Sequence, residues 1–325
     1  MEKQDSKYIE HIEIKGLWGR YDVNWKLNSD VNILVGENGT GKSTILDIII
    51  DASDKNGGIL TLDRNPINTM VLVHNFQKYS NVIIGFSNKN QIDIKYEYEN
   101  GGKMSFAPDG KGDFMEGSIN ERLVYKKNKN FDSNISLIRT FDNTFYEKNS
   151  YDKKNKPYLN SYLDMELEGK INEFIEYQLK RNRLLRSGLS YQDLFKQYLY
   201  LIESINRLFL PTGKKVDEED TRLSFILKDK TKIQPYQLSS GEKQLLIILL
   251  TVLCQDEKPS ILLMDEPEIS LDIAWQFELL SILRTVNPNC QLIIVTHSPA
   301  IYGKGWRDKV TFIEDIIPQL KKATV

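Results

Sequence analysis

The chain has 325 residues, 40% of them hydrophobic and 27% charged, which is typical of a globular protein and excludes a long disordered chain. Its formal net charge of −2 excludes a general attraction to nucleic acid, so any such contact needs a local basic patch. No apolar run is long enough to span a bilayer and the first residues lack the apolar stretch of a signal peptide, so we expect a cytoplasmic protein with no membrane partner.

The first strong chemical signal is the segment VNILVGENGTGKSTILDIII, which predicts a strand, a glycine-containing loop and an apolar helix. Gly36, Gly41, Lys42 and Ser43 match the phosphate-loop pattern of a glycine, any four residues and Gly-Lys-Ser/Thr. In such a loop backbone N–H groups converge on phosphates, the lysine brings a positive charge to the β and γ oxygens, and the serine hydroxyl completes a magnesium shell. The sequence therefore predicts a bound nucleotide with Mg²⁺.

The middle of the chain changes its hydrophobic period. Residues 65–140 alternate apolar and polar positions between glycines and asparagines, which predicts an antiparallel meander beside the nucleotide sheet. Residues 160–208 have helical spacing instead, first at Leu163, Leu167, Ile171 and Phe174 and then at Leu194, Tyr198 and Ile202. We predict a small helical insertion there, too short for a long coiled-coil arm.

This insertion contains the basic run KRNRLLR, residues 180–186, and three lysines precede it in the chain: Lys153, Lys154 and Lys156. One interpretation is a patch that binds nucleic acid or a partner protein. The other is a solvated basic helix face that the nearby acidic DMELEGK segment balances. Phosphate binding needs several converging charges, which the sequence alone does not reveal.

The segment LSSGEKQLLIILL, residues 238–250, joins a small polar turn to an almost wholly apolar helix. Ser239 and Glu242 match the SxxE capping box, so we predict that the helix begins here with its N–H groups and positive dipole end pointing outward. Because residues 36–43 would already surround the phosphates of the chain's own nucleotide, we infer that the anion at this helix end belongs to another molecule.

Two further apolar strands end in polar residues. The segment ILLMDEPEISLD places Asp265 at the end of a buried strand to hold magnesium, with Glu266 beside it to polarise the attacking water. The segment QLIIVTHSP brings Thr296 and His297 to the same sheet edge, where His297 is within reach of a γ-phosphate.

These four segments, GENGTGKST, LSSGEKQ, LLMDEPEISLD and IIVTHSP, resemble in order the Walker A, signature, Walker B with D-loop, and switch-histidine motifs of ABC-type ATPases. They are most similar to the RecF, SMC and OLD-like branch, which includes ATPase subunits of bacterial anti-phage systems. The resemblance implies an α/β P-loop NTPase fold, an ABC-ATPase head with a mixed sheet, a flanking antiparallel meander and a small helical insertion.

The resemblance also implies the chemistry: ATP and Mg²⁺ bind, and ATP is hydrolysed in a head-to-tail homodimer that sandwiches it. Ser239 and Gly241 of one protomer would close on the γ-phosphate held by Lys42 of the other, and Asp272 of the D-loop would cross the same interface. The implied catalytic residues are Glu266 and His297, and the implied magnesium ligands are Ser43 and Asp265. The remaining implied nucleotide-binding residues are Gly36, Asn38, Gly39, Gly41 and Thr44.

Two features of the resemblance concern the N-terminal half. The segment IEIKGLWGRYDVNWKL is similar to the two strands that precede the phosphate loop in RecF-like heads, which would place Arg20 near the nucleotide. For the Q-loop two alternatives stay open. One is Gln77, and the other is residues 140–143, at the end of ISLIRTFDN, which include no glutamine.

We predict three domains: an N-terminal ATPase lobe at residues 1–145, the helical insertion at 146–210, and the C-terminal ATPase core at 211–325. The favoured function is an ATPase switch for a separate effector, a nuclease or toxin, in anti-phage defence, acting as an ATP-dependent homodimer or a larger assembly. The effector is expected in trans, because few residues follow THSPAIYGKGWRDKVTFIEDI. The alternatives are a RecF-like DNA-binding repair or recombination ATPase and, more weakly, the nucleotide-binding subunit of a transporter.

Overall fold

The structure is a computed structural model that describes residues 8–53, 81–87, 91–98, 123–126, 135–139, 161–220 and 222–322. The chain divides into two compact units, each built from separate stretches of sequence. The first unit comprises Met1–Ser29, Thr44–Ser133 and Phe312–Val325, and the second comprises Asp30–Ser43 and Asn134–Thr311. The boundaries of the three predicted domains stay predictions.

The strands are β1 (Ile9–Leu17), β2 (Tyr21–Lys26), β3 (Val31–Val35), β4 (Asn81–Phe86), β5 (Gln91–Tyr98), β6 (Leu123–Lys126), β7 (Ile135–Ile138), β8 (Lys214–Val216), β9 (Phe225–Leu227), β10 (Lys232–Ile233), β11 (Ser260–Asp265), β12 (Cys290–Val295) and β13 (Val310–Phe312). The helices are α1 (Lys42–Ser53), α2 (Tyr162–Leu185), α3 (Tyr191–Leu208), α4 (Ser240–Cys254), α5 (Ile273–Val286), α6 (Pro299–Tyr302) and α7 (Ile313–Ile316).

The first unit contains an antiparallel sheet with strand order β2-β1-β4-β5-β6. Strand β1, which pairs with β2 on one side and β4 on the other, alternates buried and more exposed residues, as expected for a sheet with one face on a core. Ile12 and Ile14 on this strand are fully buried and pair with Ile84 and Val82 of β4. The antiparallel meander predicted from the alternating pattern is therefore confirmed for β4, β5 and β6.

The second unit is built on a five-stranded sheet with order β13-β3-β12-β11-β7, in which β3, β12, β11 and β7 are parallel neighbours. All residues of β3 and β12 are buried, including the polar Asn32 and Gln291, as expected where both sheet faces are covered. The C-terminal ends of the parallel strands lie at one edge of the sheet. The polar residues that follow the parallel strands therefore lie at this edge.

Strand β7 corrects one part of the sequence prediction. The segment ISLI was included in the antiparallel meander of residues 65–140, but β7 pairs parallel with β11 in the second unit, with Ile138 opposite Met264. A four-residue strand carries too little pattern to show which sheet it joins. Its partner is decided by the packing of residues more than a hundred positions away.

The helical insertion is present as α2 and α3. Helix α2 begins at the N-cap Ser161 and buries Leu163, Leu167, Ile171 and Phe174, the four positions predicted from the sequence. Helix α3 buries one stripe that includes Leu194 and Ile202. Helix α4 is different, because Leu245 to Leu250 are all at most 1% exposed, so it is covered on every side.

A short antiparallel sheet, β8-β9-β10, follows α3 and leads to the N-terminus of α4. The predicted α/β fold with parallel and antiparallel strands and a helical insertion is confirmed. Within the part of the chain that the structure describes, no helix is both long enough and apolar enough to cross a bilayer.

Candidate active site

The phosphate-loop segment follows β3 in the second unit and ends at Lys42 and Ser43, the first two residues of α1. Gly39 and Gly41 have φ angles of 75° and 96°, in the left-handed region that glycine reaches without the cost of a Cβ. Lys42 is buried, and its Nζ donates hydrogen bonds to the carbonyl oxygens of Gly36 at 3.0 Å and Glu37 at 2.6 Å. The loop therefore surrounds the positive charge of Lys42 at the N-terminus of a helix. The helix dipole attracts an anion to the same place.

Ser43 and Asp265 meet at the carboxyl edge of the sheet. The Ser43 hydroxyl donates to Oδ1 of Asp265 at 3.0 Å, although 222 positions separate the two residues in sequence. They meet because β3 and β11 both lie beside β12 and run parallel to it, so their C-terminal ends face the same way. A hydroxyl and a carboxylate are oxygen ligands, and this donor set fits Mg²⁺.

Glu266 follows Asp265 with a φ of 47°, which is uncommon and costly for a residue other than glycine. Its backbone N–H donates to the carbonyl of Val295 on β12 at 2.8 Å, which holds this conformation. Its Oε1 lies 3.5 Å from Nε2 of His297, and both side chains are about one third exposed. Two polar groups from different strands thus face each other at an open position.

Glu268 is a residue that the sequence reasoning missed. Its Oε1 accepts hydrogen bonds from the backbone N–H groups of His297 at 2.8 Å and Ser298 at 3.2 Å, so it fixes the backbone where β12 ends. Its Oε2 is buried and has no hydrogen-bond partner among the described residues. The only available signal was a third acidic residue in DEPE.

The D-loop connects the strand edge to helix α5. Asp272 is exposed and is the N-cap of α5, with Oδ1 accepting from the Ala274 N–H at 2.8 Å. Gln276 on the first turn of α5 donates to the carbonyl of Leu271 at 3.0 Å and accepts from the Ser298 hydroxyl at 2.6 Å. The D-loop and the segment after β12 are therefore linked within one chain.

The signature turn has the predicted capping box. Oγ of Ser239 accepts from the Glu242 N–H at 3.3 Å, and the Ser239 N–H donates to Oε2 of Glu242 at 2.9 Å. Ser239 is exposed, whereas Gly241 is buried against the D-loop. A Cβ at position 241 would lie 2.1 Å from the carbonyl oxygen of Ser270, so a glycine is required here by a contact within the chain itself.

Two ion pairs anchor the first turn of α4. Nζ of Lys214 lies 2.8 Å and 3.0 Å from the two carboxylate oxygens of Glu242, which is only 1% exposed. Burial by itself would raise the pKa of Glu242, but the hydrogen bonds from Lys214, the Ser239 N–H and the Thr212 hydroxyl outweigh it and hold the pKa below its ordinary value. On the other side, Nζ of Lys243 lies 2.7 Å from Oδ1 of Asp164 on α2.

The other predicted site residues are placed as follows. Asn38 is exposed in the phosphate loop, and Thr44 is partly buried on α1. Arg20 is exposed in the turn between β1 and β2 of the first unit, where its N–H donates to the carbonyl of Leu17 at 3.1 Å. The Q-loop candidates and the three lysines that precede the helical insertion lie outside the described residues: Gln77, residues 140–143, Lys153, Lys154 and Lys156.

The basic run on α2 is partly neutralised within the chain. Lys180 and Arg181 both form ion pairs with Asp256, in the loop after α4. Burial alone would raise the pKa of Asp256, but these two cations lower it below its ordinary value. Arg183 and Arg186 are exposed. Two charges of the run are therefore already engaged by a carboxylate.

Comparison with known proteins identifies a matching family model and several similar proteins. A family model described as "AAA domain, putative AbiEii toxin, Type IV TA system" matches residues 31–302. The chain is 24% identical over 240 residues to the "Retron Vc95 probable ATPase" of Vibrio cholerae, covering 70% of this chain and 45% of the relative. It is 26% identical over 196 residues to the energy-coupling factor transporter ATP-binding protein EcfA2 of Ureaplasma parvum, covering 57% of this chain and 44% of the relative.

The chain thus spans less than half the length of these two curated relatives. Among solved structures, the Smc head domain with an extended coiled coil, bound to the C-terminal domain of ScpA from Pyrococcus furiosus, aligns with 98% of this chain and 100% of that chain. Its TM-score is 0.48 and its identity is 16%. Because the family model matches most of the chain, this protein belongs to that AAA domain family, and the prediction of an ABC-type ATPase is confirmed.

Proposed function

We propose that this protein binds and hydrolyses ATP with Mg²⁺ and that hydrolysis switches a separate effector protein. The observation that carries the proposal is the carboxyl edge of the second unit's sheet. There Ser43 contacts Asp265 at 3.0 Å, and Glu266 lies 3.5 Å from His297. The hydroxyl at the start of α1 and the carboxylate and imidazole groups that follow β11 and β12 are the groups that phosphoryl transfer needs for positioning and charge stabilisation.

The phosphate loop would hold ATP. The ammonium of Lys42 is buried inside the loop and can exchange its bonds to the loop carbonyls for phosphate oxygens. Ser43 and Asp265 would hold Mg²⁺, which when bound neutralises phosphate charge as a Lewis acid. The neighbouring residues that would complete the cradle are Gly36, Asn38, Gly39, Gly41 and Thr44.

In the proposed reaction Glu266 orients a water molecule and accepts its proton, and His297 donates a hydrogen bond toward the γ-phosphate. Glu268 holds the His297 backbone in place through its bond to the His297 N–H at 2.8 Å. A positioned general base contributes roughly 10²- to 10⁴-fold to a rate. Most of the acceleration from Glu266 therefore depends on the carboxylate staying at this sheet edge.

We further propose that two copies close on ATP. Ser239 is exposed at the N-terminal end of the buried helix α4, where the positive end of the helix dipole attracts an anion from outside the chain. In this arrangement Ser239 and Gly241 of one copy contact the γ-phosphate held by Lys42 of the other, and the exposed Asp272 lies in the same interface.

The effector and the biological role are the finer part of the proposal. A toxin–antitoxin system has two components by definition, and the family description that names one supports a partner in trans. Similarity to a protein named as a retron's probable ATPase supports the proposed role in anti-phage defence. We propose that the protein acts in the cytoplasm. We do not propose DNA binding by the basic run, because Lys180 and Arg181 are already paired with Asp256.

The first test is the native mass of the Glu266→Gln protein, expressed together with its neighbouring genes, with and without ATP. We expect ATP to convert one chain to two and a second polypeptide to be present in the complex. A dimer without a second polypeptide would contradict the effector in trans and turn attention to DNA. A mass unchanged by ATP would contradict the ATP-dependent dimer.

The second test separates ATP binding from closure. We expect Ser239→Arg to bind ATP normally but to stay monomeric and to hydrolyse ATP slowly, because the large cation occupies the place of the γ-phosphate. The control is Ser187→Arg at the exposed turn after α2, which should behave as the parent. Normal dimerisation and hydrolysis by Ser239→Arg would show that the signature turn does not contact ATP.

A further inference from the structure

The signature turn depends on a buried carboxylate. Oε2 of Glu242 accepts hydrogen bonds from both the N–H of Ser239 at 2.9 Å and the hydroxyl of Ser239 at 3.0 Å. The same carboxylate, 1% exposed, accepts from the Thr212 hydroxyl at 3.0 Å. The orientation of the exposed Ser239 is thus set by Glu242, which lies inside the protein.

A buried carboxylate stays ionised only when a cation or several hydrogen-bond donors compensate for lost hydration. Lys214 is the cation that contacts Glu242, with Nζ at 2.8 Å and 3.0 Å from the two oxygens. Lys214 begins β8, directly after Gly213, whose φ of 71° turns the chain out of the preceding 3₁₀ segment. Lysine and carboxylate are 28 residues apart in sequence.

We propose that Lys214 is a positioning residue for the signature serine: by pairing with the buried carboxylate of Glu242, it holds Ser239 in the orientation that receives the γ-phosphate of a second copy. This inference rests on the proposed ATP-dependent dimer. It adds a residue outside every recognised motif of the chain and extends the signature site to the strand that follows the helical insertion.

Lys214 acts on Ser239 through the charge of Glu242. An ionised carboxylate is an acceptor only, and it can take the N–H and hydroxyl of Ser239 together. Without Lys214, burial is opposed by fewer partners, so the pKa of Glu242 rises relative to the parent. An ionised Glu242 is then an unpaired buried charge, and its protonated form replaces one acceptor position with an O–H donor. The ionised form disturbs the bonds to Ser239 more, because an unpaired buried charge is drawn toward water, whereas the protonated form keeps an acceptor oxygen for the Ser239 N–H.

The test uses Lys214→Met in the Glu266→Gln protein and measures two constants. We expect the affinity of the monomer for ATP to be unchanged, because the phosphate loop is intact. The ATP-dependent dimerisation constant should weaken about tenfold, the factor that corresponds to roughly 1.4 kcal/mol. Lys215→Met is the matched control, since the neighbouring lysine is 68% exposed and lies 3.8 Å from Glu218.

The pH profile distinguishes positioning from a general loss of packing. In Lys214→Met the dimerisation defect should be largest at high pH, where Glu242 is ionised and unpaired, and should shrink as the pH falls and the carboxylate is neutralised. Lys214→Arg should restore dimerisation because it keeps the charge. Lys214→Met combined with Glu242→Gln should also recover dimerisation without pH dependence, since glutamine completes a capping box without a charge.

The outcomes separate the two proposals. If the Glu266→Gln parent does not dimerise with ATP, the proposed dimer is wrong and the role of Lys214 falls with it. If the parent dimerises and Lys214→Met does so with the same constant, only the positioning role is wrong. If Lys214→Met does not fold, the double variant decides, because dimerisation as weak as that of Ser239→Arg would overturn the charge-based role.

Discussion

The sheet edge and the signature turn achieve their geometry in opposite ways. At the sheet edge Ser43 of α1 meets Asp265 at the end of β11, and His297 follows β12; these segments are distant in sequence, and Glu266 and His297 remain about one third exposed. At the signature turn Ser239 and Glu242 are three residues apart, and the carboxylate is 1% exposed. The first arrangement is open to a ligand, whereas the second is completed by internal bonds and presents only Ser239.

This difference predicts which property a substitution changes in each region. The sheet edge is held by the register of parallel strands, so a change of one side chain there alters chemistry more than folding. The signature turn is packed against the chain's own D-loop, through Gly241 at Ser270 and through Gln244, whose Nε2 donates to the Pro267 carbonyl at 3.2 Å. A change there is expected to alter stability and closure together.

The largest effect is expected at the sheet edge for Glu266→Gln. The turnover number should fall roughly 10²- to 10⁴-fold because the general base is lost, while ATP affinity stays at the parent value. Phosphate release and equilibrium ATP binding measure the two quantities. Glu278→Gln, at a surface ion pair with Arg207, is the control and should leave both unchanged. Parent-like turnover in Glu266→Gln would assign the base elsewhere.

Lys42→Ala should have the second largest effect, and it should weaken ATP binding instead of lowering the turnover number. Loss of a charge-assisted contact costs about 1.5 to 3 kcal/mol, so the dissociation constant for ATP should rise roughly 10- to 150-fold. Isothermal titration calorimetry measures it, with the exposed Lys215→Ala as control. ATP binding that survives Lys42→Ala unchanged would mean that the loop around Lys42 does not hold the phosphates.

Gly241→Ala tests the packing of the signature turn. The added Cβ would lie 2.1 Å from the Ser270 carbonyl oxygen, so the backbone must shift, and overpacking of this kind typically costs about 1 to 3 kcal/mol. Gly169→Ala on α2 is the matched control, because nothing lies within 4 Å of its Cβ. The control should stabilise the helix by up to about 1 kcal/mol. Urea unfolding of both variants measures the contrast; equal stabilities would contradict it.

The smallest effect is expected for Asp256→Asn, which lies outside both regions. Asp256 has a φ of 59°, which asparagine tolerates, so the change removes the charge that pairs with Lys180 and Arg181 without straining the backbone. We expect a loss of about 1 kcal/mol in unfolding free energy at pH 7. ATP binding should not change.

The pH dependence of that loss has a definite sign. The pKa of Asp256 is below its ordinary value in the folded protein, so its stabilising contribution is present above the unfolded pKa of about 3.9 and is lost as the pH falls through the folded pKa. The difference between parent and Asp256→Asn in urea unfolding should therefore shrink as the pH is lowered from 7 toward 3. A difference independent of pH would contradict the ion pairs.

The sequence by itself determined the local structural motifs. The phosphate loop was predictable because glycines, lysine and serine act within eight positions, and the capping box was predictable because Ser239 and Glu242 are one helical turn apart. The four buried residues of α2 were predictable for the same reason, since one period decides which face is apolar. Each of these depends on residues close together in the chain.

Only the tertiary structure decided the rest. It decided that β7 joins the parallel sheet, that Glu268 accepts a hydrogen bond from the His297 N–H, and that Lys214 pairs with Glu242. It also decided that Asp256 engages two charges of the basic run, for which the sequence offered only the nearby DMELEGK segment as a counter-charge. The physical reason is that strand register and helix packing bring together residues that are distant in sequence, and no local spacing encodes which of them will meet.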